Sequence, residues 1–161
     1  MKFQSGEWVV HCTYGLGQVK SIEERTFGNN TLLYYMVQVE DLTIWVPADE
    51  NLQNRLRYPT SEAGFRKLLT TLSAPAEKLP EDRRQRNLHL LEMLKDGGAE
   101  SLCKVIRDLT AYRHDRSWSD HDNELMRRTQ KALIGEWSYI LSVTPHEAEV
   151  ELNRSLAHKV E

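Results

Sequence analysis

Cysteine is scarce in this chain. Its 161 residues include two, Cys12 and Cys103, which form neither a CxxC pair nor any zinc spacing. A zinc ribbon and a disulfide framework are thereby excluded, and two buried free thiols are expected. No apolar run approaches the roughly 18–20 residues that span a bilayer. The first residues, MKFQSGEWVVH, lack the apolar stretch of a signal peptide, so a cytoplasmic protein without a membrane partner is expected. HExxH and similar constellations are missing, so no metal and no catalytic residue is assigned. His11-Cys12 and His121-Asp122 are the nearest approach to catalytic pairs. Strand neighbours point to opposite faces, however, and the second pair reads as helix capping. A net charge of −3 argues against a broad grip on naked DNA, because such proteins are usually basic. Repeats and low-complexity tracts are absent.

Two glycines, Gly15 and Gly17, stand in YGLGQVKSIEER. A dinucleotide fingerprint needs a third glycine and a helix directly after it, and a P-loop needs GK[ST]. Neither follows; Val19 and Ile22 read as strand. The pair is better explained as a strand connection where Gly15 or Gly17 takes backbone angles closed to other residues. No nucleotide, cofactor or small-molecule substrate is expected.

What is present changes period near Tyr58-Pro59. Before it, Trp8, Val10 and Cys12 alternate, Gly28-Asn29-Asn30 and Glu40-Asp41 read as turns, and TLLYYMVQV and LTIWV read as strands. Four or five short antiparallel strands within about 50 residues predict a small barrel. After a linker over Asn54–Thr60 the pattern is helical. Phe65, Leu68, Leu69 and Leu72 form one stripe, and Leu88, Leu91 and Leu94 a second, after a start at Pro80-Glu81-Asp82. Gly97-Gly98 predicts a stop, followed by Leu102, Val105, Ile106 and Leu109. Ser119-Asp120-His121-Asp122 and Thr144-Pro145-His146-Glu147 predict capping boxes, opening the stripes Leu125–Leu141 and Ala148–Leu156. The fold class is α+β: a barrel domain over 1–58 and an all-α domain of about five helices over 59–161. On the helix after Ser119, Arg127, Arg128 and Lys131 share the face opposite Leu125, Leu133 and Trp137, with Glu124 among them. A solvated face or a phosphate-binding face would both look like this.

GEWVVHCTYGLGQVKSIEER, DLTIWVPADENLQNRLR, LEMLKDGG, VIRDL and RRTQKALIGEW occur in an order that resembles the CarD (CdnL) family of bacterial transcription regulators. The first module also resembles the polymerase-interacting domain of transcription-repair coupling factors. The resemblance implies a Tudor-like barrel whose edge strand pairs with the lobe of the RNA polymerase β subunit, by β-augmentation. The matching strand is Leu42, Thr43, Ile44, Trp45 and Val46, and Arg25 falls on the family's polymerase-contacting arginine. Trp45 stands where some relatives carry a second such arginine, and is either an interface anchor or a core residue. The helical half resembles the domain that meets promoter DNA at the upstream edge of the melted bubble. Arg128 matches a lysine implicated in that contact. Arg127, Lys131, Arg113 and Arg116 extend the implied patch. The family's wedge tryptophan is replaced by Arg83, and Arg84 and Arg86 beside it are candidates for phosphate contact. The alternative function is a peptide-binding Tudor-like adaptor without a DNA role, built on an aromatic cage of Trp8, Tyr14, Tyr34, Tyr35 and Trp45.

Overall fold

The structure, a computed structural model, describes residues 2–157. The chain divides into two compact units, Met1–Pro59 and Thr60–Glu161, and the α+β class is as the sequence predicts.

In the first unit, β1 (Trp8–His11), β2 (Gly15–Phe27), β3 (Asn30–Val39), β4 (Leu42–Pro47) and β5 (Leu56–Arg57) make one antiparallel sheet in the order β4-β3-β2-β1-β5. One face buries Phe3, Val9, Val19, Tyr35, Val37, Val39, Val46 and Leu56. The β2–β3 hairpin turns on Gly28-Asn29, with Gly28 at φ 61°. Its strands have 13 and 10 residues, longer than the expected short strands. Pairing with Leu32–Tyr34 carries the polar Glu23-Glu24-Arg25 stretch into the ladder, although its composition does not mark it as strand. The two opening glycines differ in kind. Gly15 sits at φ 85°, where a side chain would strain the backbone. Gly17 has no room instead: a Cβ would lie 2.6 Å from Val39 Cγ2 and 2.7 Å from the Gln38 carbonyl.

Two expectations fail here. Part of the supposed linker belongs to the sheet: Leu52–Asn54 is a 3-10 turn, β5 pairs with β1, and Leu56 is buried in the core. Two residues are too few to show a period. Cys12 is exposed rather than buried. β1 stops at His11, and Cys12 begins the turn that follows, its N–H donating to the Arg55 carbonyl at 2.9 Å.

The second unit holds α1 (Glu62–Leu69), α2 (Arg83–Met93), α3 (Ala99–Asp115), α4 (Asp120–Leu141) and α5 (Pro145–Ala157). Phe65, Leu72, Leu90, Val105, Ile106, Leu109, Leu125, Leu133, Trp137 and Leu152 form its core. Gly97 at φ 68° ends the 3-10 turn after α2, and Gly98 opens α3. α4 starts with a full capping box of Ser119 and Asp122, an arrangement worth about 1 kcal/mol. Thr144 caps α5 by accepting from the Glu147 N–H at 3.1 Å.

The phase of α2 is the main correction. Its N-cap is Asp82, which accepts from Gln85 N–H, so Pro80 and Glu81 precede the helix. The helix is also turned: Leu88 and Leu91, expected in the core, are 60% and 44% exposed, while Arg86 and Leu90 are buried. The leucine spacing suits a helix in either rotation. The choice is made by a partner for Arg86 far along the chain.

Candidate functional site

The first candidate surface is the outer face of the sheet beside β4. Paired residues of adjacent strands share a face. The pairs Glu23↔Tyr34 and Tyr34↔Pro47 therefore place Glu23, Arg25, Phe27, Tyr34 and Trp45 together, opposite the core. The Arg25 guanidinium lies over the Trp45 ring, 4.2 Å from its centroid. Tyr34 contacts the Trp45 ring edge-on at 6.2 Å, and Phe27 contacts Tyr34 at 6.5 Å. Glu23 stands 3.8 Å from Arg25. Trp45, left between core and surface by the sequence, is an exposed surface residue. It holds Arg25 flat by cation–π attraction, worth about 0.5–1 kcal/mol at an exposed site.

β4 is an edge: among the described residues it pairs with β3 alone. The Ala48 N–H donates to the Leu33 carbonyl at 2.8 Å, which fixes the alternation of the ladder. Val46, Ile44 and Leu42 bond inward to β3, and the backbone groups of Thr43 and Trp45 point outward. Pro47 falls on the outward set, where its missing N–H costs the ladder nothing. Thr43 and Trp45 thus offer N–H and C=O groups to an added strand. Val46 is buried in the core, Ile44 is half-buried against it, and Leu42 is exposed.

The second candidate surface gathers where α2 begins, α3 ends and α4 begins. Arg86 sits at its centre, 3% exposed. Its Nε donates to both Asp122 oxygens (3.1 and 3.2 Å) and its Nη2 to Oδ2 at 2.7 Å. Its Nη1 donates to the Pro80 and Glu81 carbonyls and to Tyr112 Oη at 3.0 Å. Its guanidinium also stacks 4.6 Å from the Tyr112 ring centroid. Every face of this side chain is occupied, so Arg86 is withdrawn from the nucleic-acid set; it is the bolt joining α2, α3 and α4. Burial by itself would raise the Asp122 carboxyl, but hydrogen bonds from Arg86 and Ser119 outweigh it and hold the group below the usual carboxylate range.

The remaining cations are exposed around this junction. Arg83 and Arg84 open α2. Arg113 lies over the Trp118 ring at 4.5 Å, and Arg116 pairs with Glu81 at 2.6 Å. On α4, Arg127, Arg128 and Lys131 face solvent as the helical period predicts. Both hydrogen bonds of Arg127 go to Glu124 (3.0 and 2.7 Å), the diluting acid noted in the sequence. Such surface pairs are worth about 0–1 kcal/mol. Sequence reasoning missed the inward turn of Arg86 and also Glu136, wholly buried in α4. Glu136 accepts from the N–H and hydroxyl of Thr60, each at 2.9 Å.

One member of each pair that hints at catalysis is spent on structure. His11 Nδ1 accepts the Thr13 and Tyr14 N–H groups at 3.0 and 3.3 Å. Asp122 is the cap described above. Among the described residues no group of three or more His, Cys, Asp or Glu side chains could hold a metal, and no helix is long and apolar enough to cross a membrane.

A family model described as "CarD, C-terminal domain" matches residues 67–153, and one described as "CarD-like/TRCF RID domain" matches residues 3–58. The chain belongs to the CarD family. Among its CarD-like relatives is YdeB of Bacillus subtilis (strain 168), named as a candidate transcription factor. It is 21% identical over 144 residues, covering 88% of this chain and 94% of YdeB. The two matched modules correspond to the sheet unit and to most of the helical unit.

Proposed function

We propose that this CarD-family chain regulates transcription by adding β4 to an edge strand of the RNA polymerase β-subunit lobe. In this reading the α2–α3–α4 junction is carried to promoter DNA near the upstream edge of the bubble, where it adjusts open-complex stability. The observation that carries this reading is the β4 edge: two residues, Thr43 and Trp45, with backbone groups pointing outward beside an exposed arginine on an aromatic bed. Main-chain bonds along that edge supply affinity, and Arg25 supplies a planar fork for a carboxylate on the partner strand. The family's RID module, an RNA polymerase-interacting domain, names the partner class.

The DNA half rests on exposed Arg83, Arg84, Arg113, Arg116, Arg127, Arg128 and Lys131. A chain of net charge −3 needs little intrinsic DNA affinity if docking makes the second contact intramolecular. Arg83 replaces an apolar wedge at its position, so phosphate contact rather than base-step insertion is the mode assigned to it. A peptide-reading aromatic cage is disfavoured. Tyr35 is buried, with its Oη accepting from Phe3 N–H, and the cation seat on Trp45 is filled by the chain's own Arg25.

The test is retention of the chain on isolated β lobe, followed by open-complex lifetime. Arg25→Glu abolishes retention at a cost of no more than about 1 kcal/mol in stability, the loss of its cation–π contact with Trp45. Thr43→Pro removes one outward donor, as Pro47 already does, and weakens retention at least tenfold with less than about 1 kcal/mol lost in stability. Undiminished retention of both variants overturns the docking assignment. Free-DNA binding should be weak and fall steeply with salt; tight binding without polymerase contradicts tethering.

A further inference from the structure

β2 runs well past the strand beside it. Its pairing with β1 ends at Gln18. Val19 then exchanges backbone bonds with the segment before β1: Gly6 N–H donates to the Val19 carbonyl at 2.7 Å, and Val19 N–H donates to the Glu7 carbonyl at 2.9 Å. The Ser5 hydroxyl donates to the Lys20 carbonyl at 2.8 Å. Beyond that point, residues 21–27 continue along β3 alone. The sheet therefore has a second open margin, on the side of the β2–β3 ribbon away from β4.

The ladder fixes which backbone groups this margin presents. The Leu33 carbonyl bonds toward β4, so Leu32, Tyr34 and Met36 bond toward β2, where their partners are Arg25, Glu23 and Ser21. Ile22, Glu24 and Thr26 are left pointing away from β3. The register shift between Val19 and Ser21 passes the outward direction from Val19 to Ile22. Three N–H and three carbonyl groups thus face outward in a row, and among the described residues none has a backbone partner. β4 offers two such residues, Thr43 and Trp45. Glu24 and Thr26 are exposed and Ile22 is half-buried. Open strand edges are ordinarily blunted by charge, and here the charge discriminates. If two copies of this margin paired antiparallel with all three residues engaged, Ile22 would meet Thr26 and Glu24 would meet a second Glu24. Like charges directly opposite destabilise a ladder. Glu23 and Arg25 pair with each other on the other face, so a cation brought opposite Glu24 meets a carboxylate that those two leave alone.

We propose that the margin of β2 over residues 21–27 is a second strand-addition site, which takes an extended segment of a partner protein with Lys or Arg opposite Glu24 and rejects a second copy of this chain. Main-chain bonds at Ile22, Glu24 and Thr26 supply the affinity, and the charge facing Glu24 selects the partner. The site is distinct from β4 and does not depend on the polymerase reading.

The test uses the chain itself as the strand donor. A full chain carrying Glu24→Lys presents the same edge with the required cation, so mixing it with the parent sets a lysine against Glu24. Association is followed by sedimentation and by amide shifts of the labelled parent. The mixture should associate about tenfold or more strongly than either chain alone, with shifts centred on residues 21–27. Thr26→Pro in the parent deletes an outward N–H without touching the β3 ladder, and should weaken that association by about tenfold. Thr26→Val, which keeps the donor, and Thr43→Pro, which alters only β4, should leave it unchanged. Parent chain that associates with itself as strongly as the mixture would make a second copy the occupant. Shifts centred on residues 42–46, or loss of association in Thr43→Pro, would move the pairing to β4. No association of the mixture would mean that the edge is simply blunted. Each of these three results overturns the proposal. None of the readouts involves polymerase, so the outcome is separate from that of the docking experiment.

Discussion

The two units solve the problem of polar groups in opposite ways. Among the described residues, every buried side chain of the sheet unit is apolar or aromatic, and none of its charged residues is buried. The helical unit buries Arg86, Arg107, Asp108, Asp122, Thr129 and Glu136. The difference follows from where backbone groups find partners. A sheet satisfies its own N–H and C=O groups through its ladders, even across a tight hairpin. Helices joined by irregular segments cannot, and the buried charges serve those segments. Arg86 donates to the carbonyls of Pro80 and Glu81, Asp108 accepts from Glu77, Asp122 from Ser119, and Glu136 from Thr60. These four side chains clamp connections that have no ladder of their own, and Arg107 pairs with Asp108. The sheet unit is thereby free to present its charge and its aromatic row to a partner, whereas part of the helical unit's charge is committed to holding the fold.

This contrast is broken most directly at Arg86. Arg86→Ala or Asp122→Ala should cost about 3–5 kcal/mol in denaturant unfolding, because the partner is left charged and buried. The paired Arg86→Met, Asp122→Leu replacement should recover only part of that loss, because the Pro80 and Glu81 carbonyls and the Ser119 N–H then lose their partners. A single-variant cost under about 1 kcal/mol would show that the pair is incidental. Glu136→Ala should come next, losing about 1–3 kcal/mol as the Thr60 donors go unsatisfied. A pH series then sharpens the comparison. The folded Asp122 carboxyl is held below its ordinary value, so its contribution is fully present above about pH 4 and is lost as pH falls through the lowered folded value. Denaturation midpoints measured between about pH 6 and 2 should fall less steeply in Asp122→Asn than in the parent, and parallel curves would remove Asp122 from the account. The smallest effect belongs to the face that α2 turns outward. Leu88→Ser and Leu91→Ser should change stability by no more than about 0.5 kcal/mol; a larger loss would mean that the leucines are covered.

Much of the organisation is legible in the residues. Hairpin turns at Gly28-Asn29 and Glu40-Asp41, the Ser119–Asp122 capping box and the glycine stop at Gly97 are local devices whose physics lies within about four residues. The order of family motifs is likewise visible along the chain. The candidate site is legible in part. That Arg127, Arg128 and Lys131 share an exposed face follows from helical period alone, and the proposal for Arg25 starts from the family resemblance at IEERT. The inward turn of Arg86 is not legible, because Arg83, Arg84 and Arg86 read as one basic run until a carboxylate 36 residues away selects one of them. The exposure of Cys12 is hidden for a related reason: one residue decides whether a strand continues or a turn begins.

The sequence by itself determined most of the elements, the capped starts of α4 and α5 and the change from a two-residue to a three-to-four-residue period, because these depend on backbone preferences and neighbouring side chains. Only the tertiary structure decided how α2 is rotated, which arginine is buried, where Trp45 faces and what Glu136 binds. Those outcomes depend on partners brought together across the chain, and a buried charge is tolerable only once such a partner has arrived.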